Sequence, residues 1–255
     1  MYKFSFTLFF IIIISALVSC KHNIDISKVG ISSDSQELIY DNGIEYLQNK
    51  RFREAYTKLH ELVENFPFSK GARKALLMSA FAKYRSGQYA EAVSIGKSYL
   101  EQYPRHSNND YVYYLVGLSY ANMINNVYYD QRFTILMIEN MDNIVKNYPG
   151  SPYADKARLY VRLGKNQLAA KEMYLGRYYL KSKEIVSAIL RFQYVIKYYY
   201  DTEQIEEALA RLVEAYLLIG LVEDSWDILY VLQKNYPRGF WCQYVEQLMR
   251  SNTGQ

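Results

Sequence analysis

Cysteine and histidine are scarce in this 255-residue sequence, which has two cysteines and three histidines. The cysteines are Cys20 and Cys242, too few for a small scaffold held together by disulfides. The histidines, His22, His60 and His106, are scattered, and none has an acid or thiol at a spacing typical of metal sites. We therefore expect no metal and no other cofactor.

Proline, glycine and net charge are also low. The chain has 5 prolines, 12 glycines and a formal charge of +4, while half of its residues are hydrophobic. This composition is typical of an ordered globular chain, and the charge is too small to indicate a nucleic-acid partner. Tyrosine is abundant, with 28 copies, and its amphipathic ring suits exposed grooves and contact surfaces.

The longest apolar run is too short to cross a membrane permanently. It covers 4–18 and follows one basic residue, Lys3, so its length fits the apolar core of a secretory signal. The run ends in Leu17-Val18-Ser19-Cys20, which resembles a bacterial lipobox. That resemblance implies a signal peptide at 1–19, cleavage before Cys20 and lipid attachment at Cys20. The alternative is an ordinary signal peptide followed by a cysteine by chance.

An aromatic-proline pair recurs through the rest of the chain. Its prolines are Pro67, Pro104, Pro149 and Pro237, and Tyr199-Tyr200 occupies a degenerate fifth place. The intervals exceed the 34 residues of a tetratricopeptide unit, which fits that unit with extended loops or helices. Small residues recur at matching offsets before the pairs and would allow two helices to approach closely: Gly43, Ala55, Gly176 and Ala188.

These patterns predict an all-α fold, a right-handed superhelical solenoid of five tetratricopeptide (TPR)-like helix pairs. A generic amphipathic bundle is the alternative. The expected helices are 34–48, 52–65, 69–86, 89–102, 109–123, 134–147, 153–182, 185–199, 203–219 and 222–235. A lipidated tether (20–33) would precede a front half (34–150, three pairs) and a back half (151–240, two pairs). A C-terminal tail (241–255) would follow, and one long helix would connect the halves.

Three stretches carry a more specific resemblance. They are 66–84 (FPFSKGARKALLMSAFAKY), 106–122 (HSNNDYVYYLVGLSYAN) and 148–163 (YPGSPYADKARLYVRL), the last leading into 169–196. With the lipobox, they resemble the BamD family of outer-membrane lipoproteins; the missing proline at Tyr200 departs from the pattern. The resemblance implies a periplasmic scaffold anchored in the outer membrane by lipid. Its implied partners are the POTRA domain of BamA, other Bam lipoproteins and unfolded β-barrel substrates.

In a TPR solenoid the first helix of each pair lines the concave face. The resemblance implies that the front half receives the aromatic, carboxylate-ended signal of barrel substrates. Tyrosines would stack on it and a cation would meet the carboxylate. The candidate groove residues are Tyr40, Tyr46, Lys83, Tyr84, Arg85, Asp110, Tyr111 and Tyr114. The alternatives are that half of the tyrosines are core residues between pairs and that Asp110 caps a helix.

The back half carries a series of basic residues on its long helix. Docking to an acidic partner surface is one interpretation, and a solvated helix face is the other. The docking candidates are Arg158, Arg162, Lys165, Arg177 and Lys181.

Catalytic signatures are absent from the sequence. Gly96-Lys97-Ser98 lacks the leading glycine of a phosphate-binding loop, since position 91 is glutamate. A helical-repeat enzyme such as a murein transglycosylase would need a separate catalytic domain, and only 18 residues follow Pro237. We therefore predict a non-enzymatic adaptor. The remaining alternative is another periplasmic TPR lipoprotein, for envelope constriction or polysaccharide export.

Overall fold

The computed structural model describes residues 33–124 and 130–253, and within these ranges every regular element is an α-helix. The predicted signal peptide, Cys20 and nearly all of the tether lie outside the described residues. The eleven helices are α1 (Ser33–Gln48), α2 (Phe52–Asn65), α3 (Lys70–Arg85), α4 (Tyr89–Gln102), α5 (Asn109–Asn122), α6 (Arg132–Asn147), α7 (Ala154–Lys181), α8 (Ile185–Tyr198), α9 (Ile205–Leu218), α10 (Val222–Asn235) and α11 (Phe240–Thr253).

The predicted solenoid of helix pairs is confirmed by the way in which the helices pack. Each helix from α1 to α10 packs against the next one along the chain, which forms five antiparallel pairs. First helices also contact the first helix of the following pair: α1 with α3, α3 with α5, α7 with α9 and α9 with α11. The corresponding backbone contact of α5 with α7 is weaker, so the first helices lie farther apart at this step.

Close approach within the pairs depends on small residues. An alanine at Gly43 would bring its Cβ within 2.7 Å of the Leu59 side chain, and one at Gly176 would lie 2.4 Å from Phe192 Cε1. Ala55 and Ala188 are completely buried. The matching offsets in the sequence are therefore explained by packing, because no larger side chain fits between helices at this distance.

The four hairpin turns that the structure describes in full each use a residue with a left-handed backbone. These residues are Lys50, Gly87, Lys183 and Gly220, with φ from 58° to 82°. In each turn the next residue donates its N–H to a carbonyl five positions earlier, as Gln88 does to Lys83 at 2.9 Å. This arrangement closes the first helix and reverses the chain.

Helix α7 belongs to both halves of the solenoid. It has 28 residues, so it is about 42 Å long. Ala154 and Ala157 pack into the core that α3–α6 share, while Ala169 and Met173 pack into the core formed with α8 and α9. The long helix predicted over 153–182 is confirmed, and its two ends are held by separate hydrophobic clusters.

The last helix, α11, lies where the sequence indicated only a tail. Cys242, Val245 and Met249 form its buried face and pack on α9 and α10. Glu206 of α9 accepts the Trp241 N–H at 3.1 Å and the Cys242 N–H at 3.4 Å, which satisfies two of the free donors at the start of the helix. Burial raises the pKa of the Cys242 thiol, as expected for a packed residue rather than a reactive one.

Among the described residues, no helix is both long and apolar enough to cross a membrane. Nor does any group of three or more histidine, cysteine or acidic side chains within 33–124 and 130–253 form a possible metal site. Gly96-Lys97-Ser98 lies within α4, where Gly96 packs against Val116. The triplet is therefore part of a packed helix rather than a phosphate-binding loop.

Candidate functional site

Five tyrosines from three successive first helices, one of them the N-cap residue of α7, form one cluster, which we call the tyrosine cluster: Tyr84, Tyr111, Tyr114, Tyr153 and Tyr160. Tyr153 is central, because its ring lies 5.4 Å from that of Tyr111 and 4.9 Å from that of Tyr114. The ring of Tyr160 approaches that of Tyr114 edge-on at 6.5 Å. These rings fill the step where α5 and α7 are farther apart, so they serve as packing between pairs and as an aromatic surface.

The cluster is partly desolvated. Burial raises the pKa of Tyr111 to about 12, with smaller contributions from Tyr153 and Tyr84. Burial also raises the pKa of Tyr84 and Tyr114, and each of these phenols also interacts electrostatically with Tyr160. All five residues nevertheless keep some solvent exposure. Neutral, half-buried phenols offer a ring face and a hydroxyl to a ligand, which suits an aromatic side chain.

Asp110 positions the cluster rather than lining it. Its Oδ2 accepts a 2.7 Å hydrogen bond from Ser151 Oγ, and its Oδ1 accepts the N–H of Tyr111. Ser151 Oγ in turn accepts the N–H of Tyr153 at 3.1 Å. Asp110 lies in the first turn of α5, and the N-cap residue is Asn108. The carboxylate therefore connects α5 to the turn that presents Tyr153.

Arg85 supplies the cation beside the cluster. Its guanidinium lies 4.9 Å from the ring centre of Phe52 and 5.6 Å from that of Phe81. It also lowers the pKa of Tyr84 and Tyr111, against the larger effect of burial, so it is within electrostatic reach of the cluster. Arg85 is exposed and forms no ion pair with another described residue. Its charge is available to an incoming carboxylate.

The other three groove candidates lie apart from the cluster. Lys83 Nζ lies 3.9 Å from the ring centre of Tyr56 and donates to Gln88 Oε1 at 3.1 Å. Tyr46 stacks under the guanidinium of Arg51 at the first hairpin turn. Tyr40 lines a separate groove of about 400 Å³ between α1 and α3. Of the eight residues predicted, the structure thus brings together Tyr84, Arg85, Tyr111 and Tyr114, with Asp110 behind them.

Tyr153 and Tyr160 were not among the predicted groove residues. The prediction ended the groove at residue 150, where the third pair ends. The available signal was that both tyrosines continue the aromatic first helices into α7. Only the packing of α7 against α6, and of Tyr153 against α5, brings them next to Tyr111 and Tyr114.

Most of the basic docking candidates in the back half have acidic partners within the chain. Arg158 pairs with Asp155, Lys165 pairs with Asp201 at 2.7 Å, and Arg177 pairs with Glu207 at 2.9 Å. The last two pairs connect α7 to the turn before α9 and to α9. Arg162 and Lys181 are exposed, and neither forms an ion pair within the described ranges.

Two apolar stripes on second helices were not predicted from the sequence. On α8, the side chains of Val186, Leu190, Tyr194 and Tyr198 recur every four residues and are 43–66% exposed. We call them the α8 stripe. On α10, exposed Val222, Trp226 and Tyr230 have the same spacing, beside exposed acids. Exposed apolar rows of this kind mark contact surfaces.

Comparison with known proteins places the chain in a family. Residues 32–243 match the family model YfiO, described as an outer membrane lipoprotein. The outer membrane protein assembly factor BamD of Caulobacter vibrioides is 36% identical over 216 residues, covering 85% of this chain and 71% of that protein. BamD of Rickettsia prowazekii is 34% identical over 213 residues, covering 84% and 85% of the two chains.

Solved structures with helical repeats show a weaker similarity. The complex of the TPR2AB domain of yeast Sti1 with pHSP90 has a TM-score of 0.44 and 12% identity, covering 87% of this chain and 85% of that one. A TPR protein of Thermus thermophilus has a TM-score of 0.39 and 14% identity, covering 86% and 100%. Such similarity says nothing about function. The family model and the two relatives show the family: the chain belongs to the YfiO family of outer membrane lipoproteins, alongside the BamD assembly factors.

Proposed function

We propose that this protein is a non-enzymatic scaffold that helps to assemble β-barrel proteins in the bacterial outer membrane. The coarse role follows from its family, whose curated relatives are named as outer membrane protein assembly factors. The finer assignments concern a substrate site, a partner surface and a membrane anchor. The observation that carries the proposal is the tyrosine cluster with the exposed charge of Arg85 beside it.

The tyrosine cluster would bind the C-terminal segment of an unfolded barrel substrate. An aromatic side chain of the segment would stack on Tyr114 and Tyr153, where each ring pair contributes about 0.5–1.5 kcal/mol beyond area burial. The terminal carboxylate would meet Arg85. Because burial raises the pKa of Tyr84, Tyr111 and Tyr114, these phenols stay protonated at neutral pH and add hydrogen-bond donors without repelling the carboxylate.

A peptide titration tests this site. A peptide with a C-terminal phenylalanine and a free carboxylate should bind more tightly than its amidated form, because a hydrogen bond to a charged group contributes about 1.5–3 kcal/mol. Arg85→Ala should abolish the difference between the two peptides. Arg53→Ala is the matched control, since Arg53 is an exposed arginine on α2. Equal affinity of the wild-type protein for both peptides would refute the assignment of Arg85.

The back half would dock the POTRA domain of BamA and other Bam lipoproteins. The α8 stripe provides apolar area, and Arg162 and Lys181 provide charges not committed to partners among the described residues. Arg158, Lys165 and Arg177 would act mainly inside the chain, through their acidic partners. Docking would then depend more on apolar contact than on ion pairs with the partner.

A pull-down from solubilised outer membrane tests the docking surface. Leu190→Asp should reduce recovery of BamA, because Leu190 is 61% exposed in the middle of the α8 stripe. Leu38→Asp on α1, 62% exposed, is the matched control. Equal recovery with both variants would place docking elsewhere.

The membrane anchor would be a lipid on Cys20. Cys20→Ser should release the chain into the soluble periplasm, because a single acylated residue is the proposed attachment. A variant that still fractionates with the outer membrane would contradict the anchor.

A further inference from the structure

Phe68 is the most exposed large apolar side chain in the described part of the chain, with 100% of its surface open to solvent. It stands in the turn between α2 and α3, directly after Pro67. The turn is ordered, since Ser69 donates its N–H to Phe66 O at 3.0 Å and its Oγ accepts the N–H of Ala72 at 2.9 Å. Single exposed apolar side chains are common on protein surfaces, so the significance of Phe68 depends on where its turn lies and on what surrounds it.

The position of this turn in the solenoid matters. Because the two helices of a pair are antiparallel, the turns that lead from one pair to the next lie at one edge, together with the starts of the first helices. The start of α1 is there as well: a Cβ at Gly71 would be 4.0 Å from Gln36 Oε1 in the first turn of α1. Phe68 therefore lies at the edge where the tether enters the fold.

Basic side chains accompany Phe68 at this edge. Lys70 and Lys74 are exposed on the first turns of α3, and Arg105 is exposed in the next turn along the edge. None of the three forms an ion pair within the described ranges. Glu37 and Asp41 line the groove beside the two lysines and offset part of their charge. The phenyl ring is therefore the main feature of this edge, and the cations add to it.

The length of the tether limits how far this edge can be from a lipid anchor. Ser33 lies 13 positions after Cys20, and a fully extended chain of that length spans at most about 45 Å. The corresponding edge of the back half does not lie level with the front-half edge, because it is displaced along α7. Its turn at 199–204 lies against Lys165, roughly 17 Å along α7 from Ala154.

We propose that the front-half edge led by Phe68 rests on the lipid surface to which the protein is anchored. The phenyl ring would enter the headgroup region, and Lys70, Lys74 and Arg105 would lie near the phosphates of anionic lipids. This inference depends on the proposed acylation of Cys20. It goes beyond anchoring, because it fixes how the solenoid is oriented on the membrane.

Site-specific fluorescence on vesicles tests this orientation. The acylated protein, with Phe68→Cys carrying an environment-sensitive fluorophore, is reconstituted into vesicles of phosphatidylethanolamine and phosphatidylglycerol. Cys242 is only 1% exposed, and the unsubstituted protein controls for its labelling. The matched control is Asn49→Cys, exposed in the hairpin turn at the opposite edge.

The label at position 68 should be quenched by nitroxide-bearing lipids and protected from aqueous iodide, while the label at position 49 should behave in the opposite way. If the protein floats with the vesicles but iodide quenches both labels, the orientation is overturned and the anchor is not. Protection at position 68 from iodide and from nitroxide lipids alike would mean that a protein covers the edge, which also overturns it. Protein that does not float would overturn the anchor and the orientation together.

A binding measurement on the Cys20→Ser chain isolates the edge itself. Phe68→Asp should weaken its binding to the same vesicles by about tenfold, since it removes a large apolar side chain from the interface. Phe68→Trp should preserve binding. Both substitutions are at a fully exposed position, so the fold should not change. Equal binding of all three chains would refute the role of Phe68.

Discussion

Ser151 Oγ and Asp110 Oδ2 are joined by a 2.7 Å hydrogen bond that spans 41 positions of the sequence. This bond connects the start of α5 to the turn before α7, where consecutive first helices are least closely packed. Ser151 Oγ also accepts the backbone N–H of Tyr153, so the two bonds hold the backbone that carries the central ring of the tyrosine cluster. The candidate substrate surface thus depends on a polar contact outside that surface.

Removing this contact should loosen the cluster. We expect Ser151→Ala to lower the free energy of unfolding by about 1 kcal/mol, the usual value for one hydrogen bond. It should also weaken binding of the aromatic peptide, since Tyr153 loses its support. Thermal denaturation and peptide titration measure the two effects. Ser107→Ala is the matched control, because Ser107 is an exposed serine in the preceding turn of the same edge. Unchanged peptide affinity would show that Ser151 does not position the cluster.

The close approach of α7 and α8 gives a second prediction. Gly176→Ala should destabilise the protein by about 1–3 kcal/mol, because the new Cβ would lie 2.4 Å from Phe192 Cε1 in a fully buried site. Gly150→Ala is the control, since no atom lies within 4 Å of the Cβ it adds. Denaturant unfolding of both variants measures the difference. Equal stabilities would mean that the pair packs less tightly than described.

The N-terminus of α11 gives a third prediction. Glu206→Ala should loosen this helix, because its carboxylate accepts the N–H groups of Trp241 and Cys242 at the positive end of the helix dipole. We expect a loss of about 1 kcal/mol and faster amide hydrogen exchange confined to residues 240–253. Glu203→Ala, in the exposed turn before α9, is the control for loss of a nearby carboxylate. Unchanged exchange in α11 would contradict the capping role.

High pH gives a fourth prediction. The pKa of Tyr111 is raised from its ordinary value of 10.0 to about 12 by burial. Between these values the unfolded chain loses the proton while the folded chain keeps it, so stability falls as pH rises from about 10 to 12. Tyr111→Phe should make this fall shallower in urea unfolding measured across that range. Tyr230→Phe, whose ring is 65% exposed, is the control. An identical pH dependence in Tyr111→Phe and wild type would contradict the buried phenol.

The sequence alone was sufficient to predict the five helix pairs, because its repeated residues reflect contacts within each pair. Prolines mark the turns between pairs, and Gly43 and Gly176 mark the close contacts inside them. Such signals depend on neighbours within one hairpin, so they can be read along the chain. The missed helix, α11, shows the limit: its buried positions, Cys242, Val245 and Met249, have helical spacing. Residues 238–255 contain no further aromatic-proline pair, which was the signal that marked the other units.

The candidate site was only partly predictable. Tyr84, Arg85, Tyr111 and Tyr114 were expected on first helices, and the structure brings them together. Tyr153 and Tyr160 were not expected, because their place depends on how α7 packs across the boundary between the two halves. Lys83 was assigned to the groove, but its side chain lies over Tyr56. Which side of a helix faces the groove depends on the superhelix, not on sequence spacing alone.

Sequence by itself determined the helix pairs, their order and the family, because each depends on residues close together in the chain or on matched stretches. The tertiary structure decided which tyrosines meet, which basic residues are already paired, and that Phe68 stands alone in solvent. These facts depend on distances between residues tens of positions apart. Such distances are set by the stacking of whole hairpins, which no local pattern specifies.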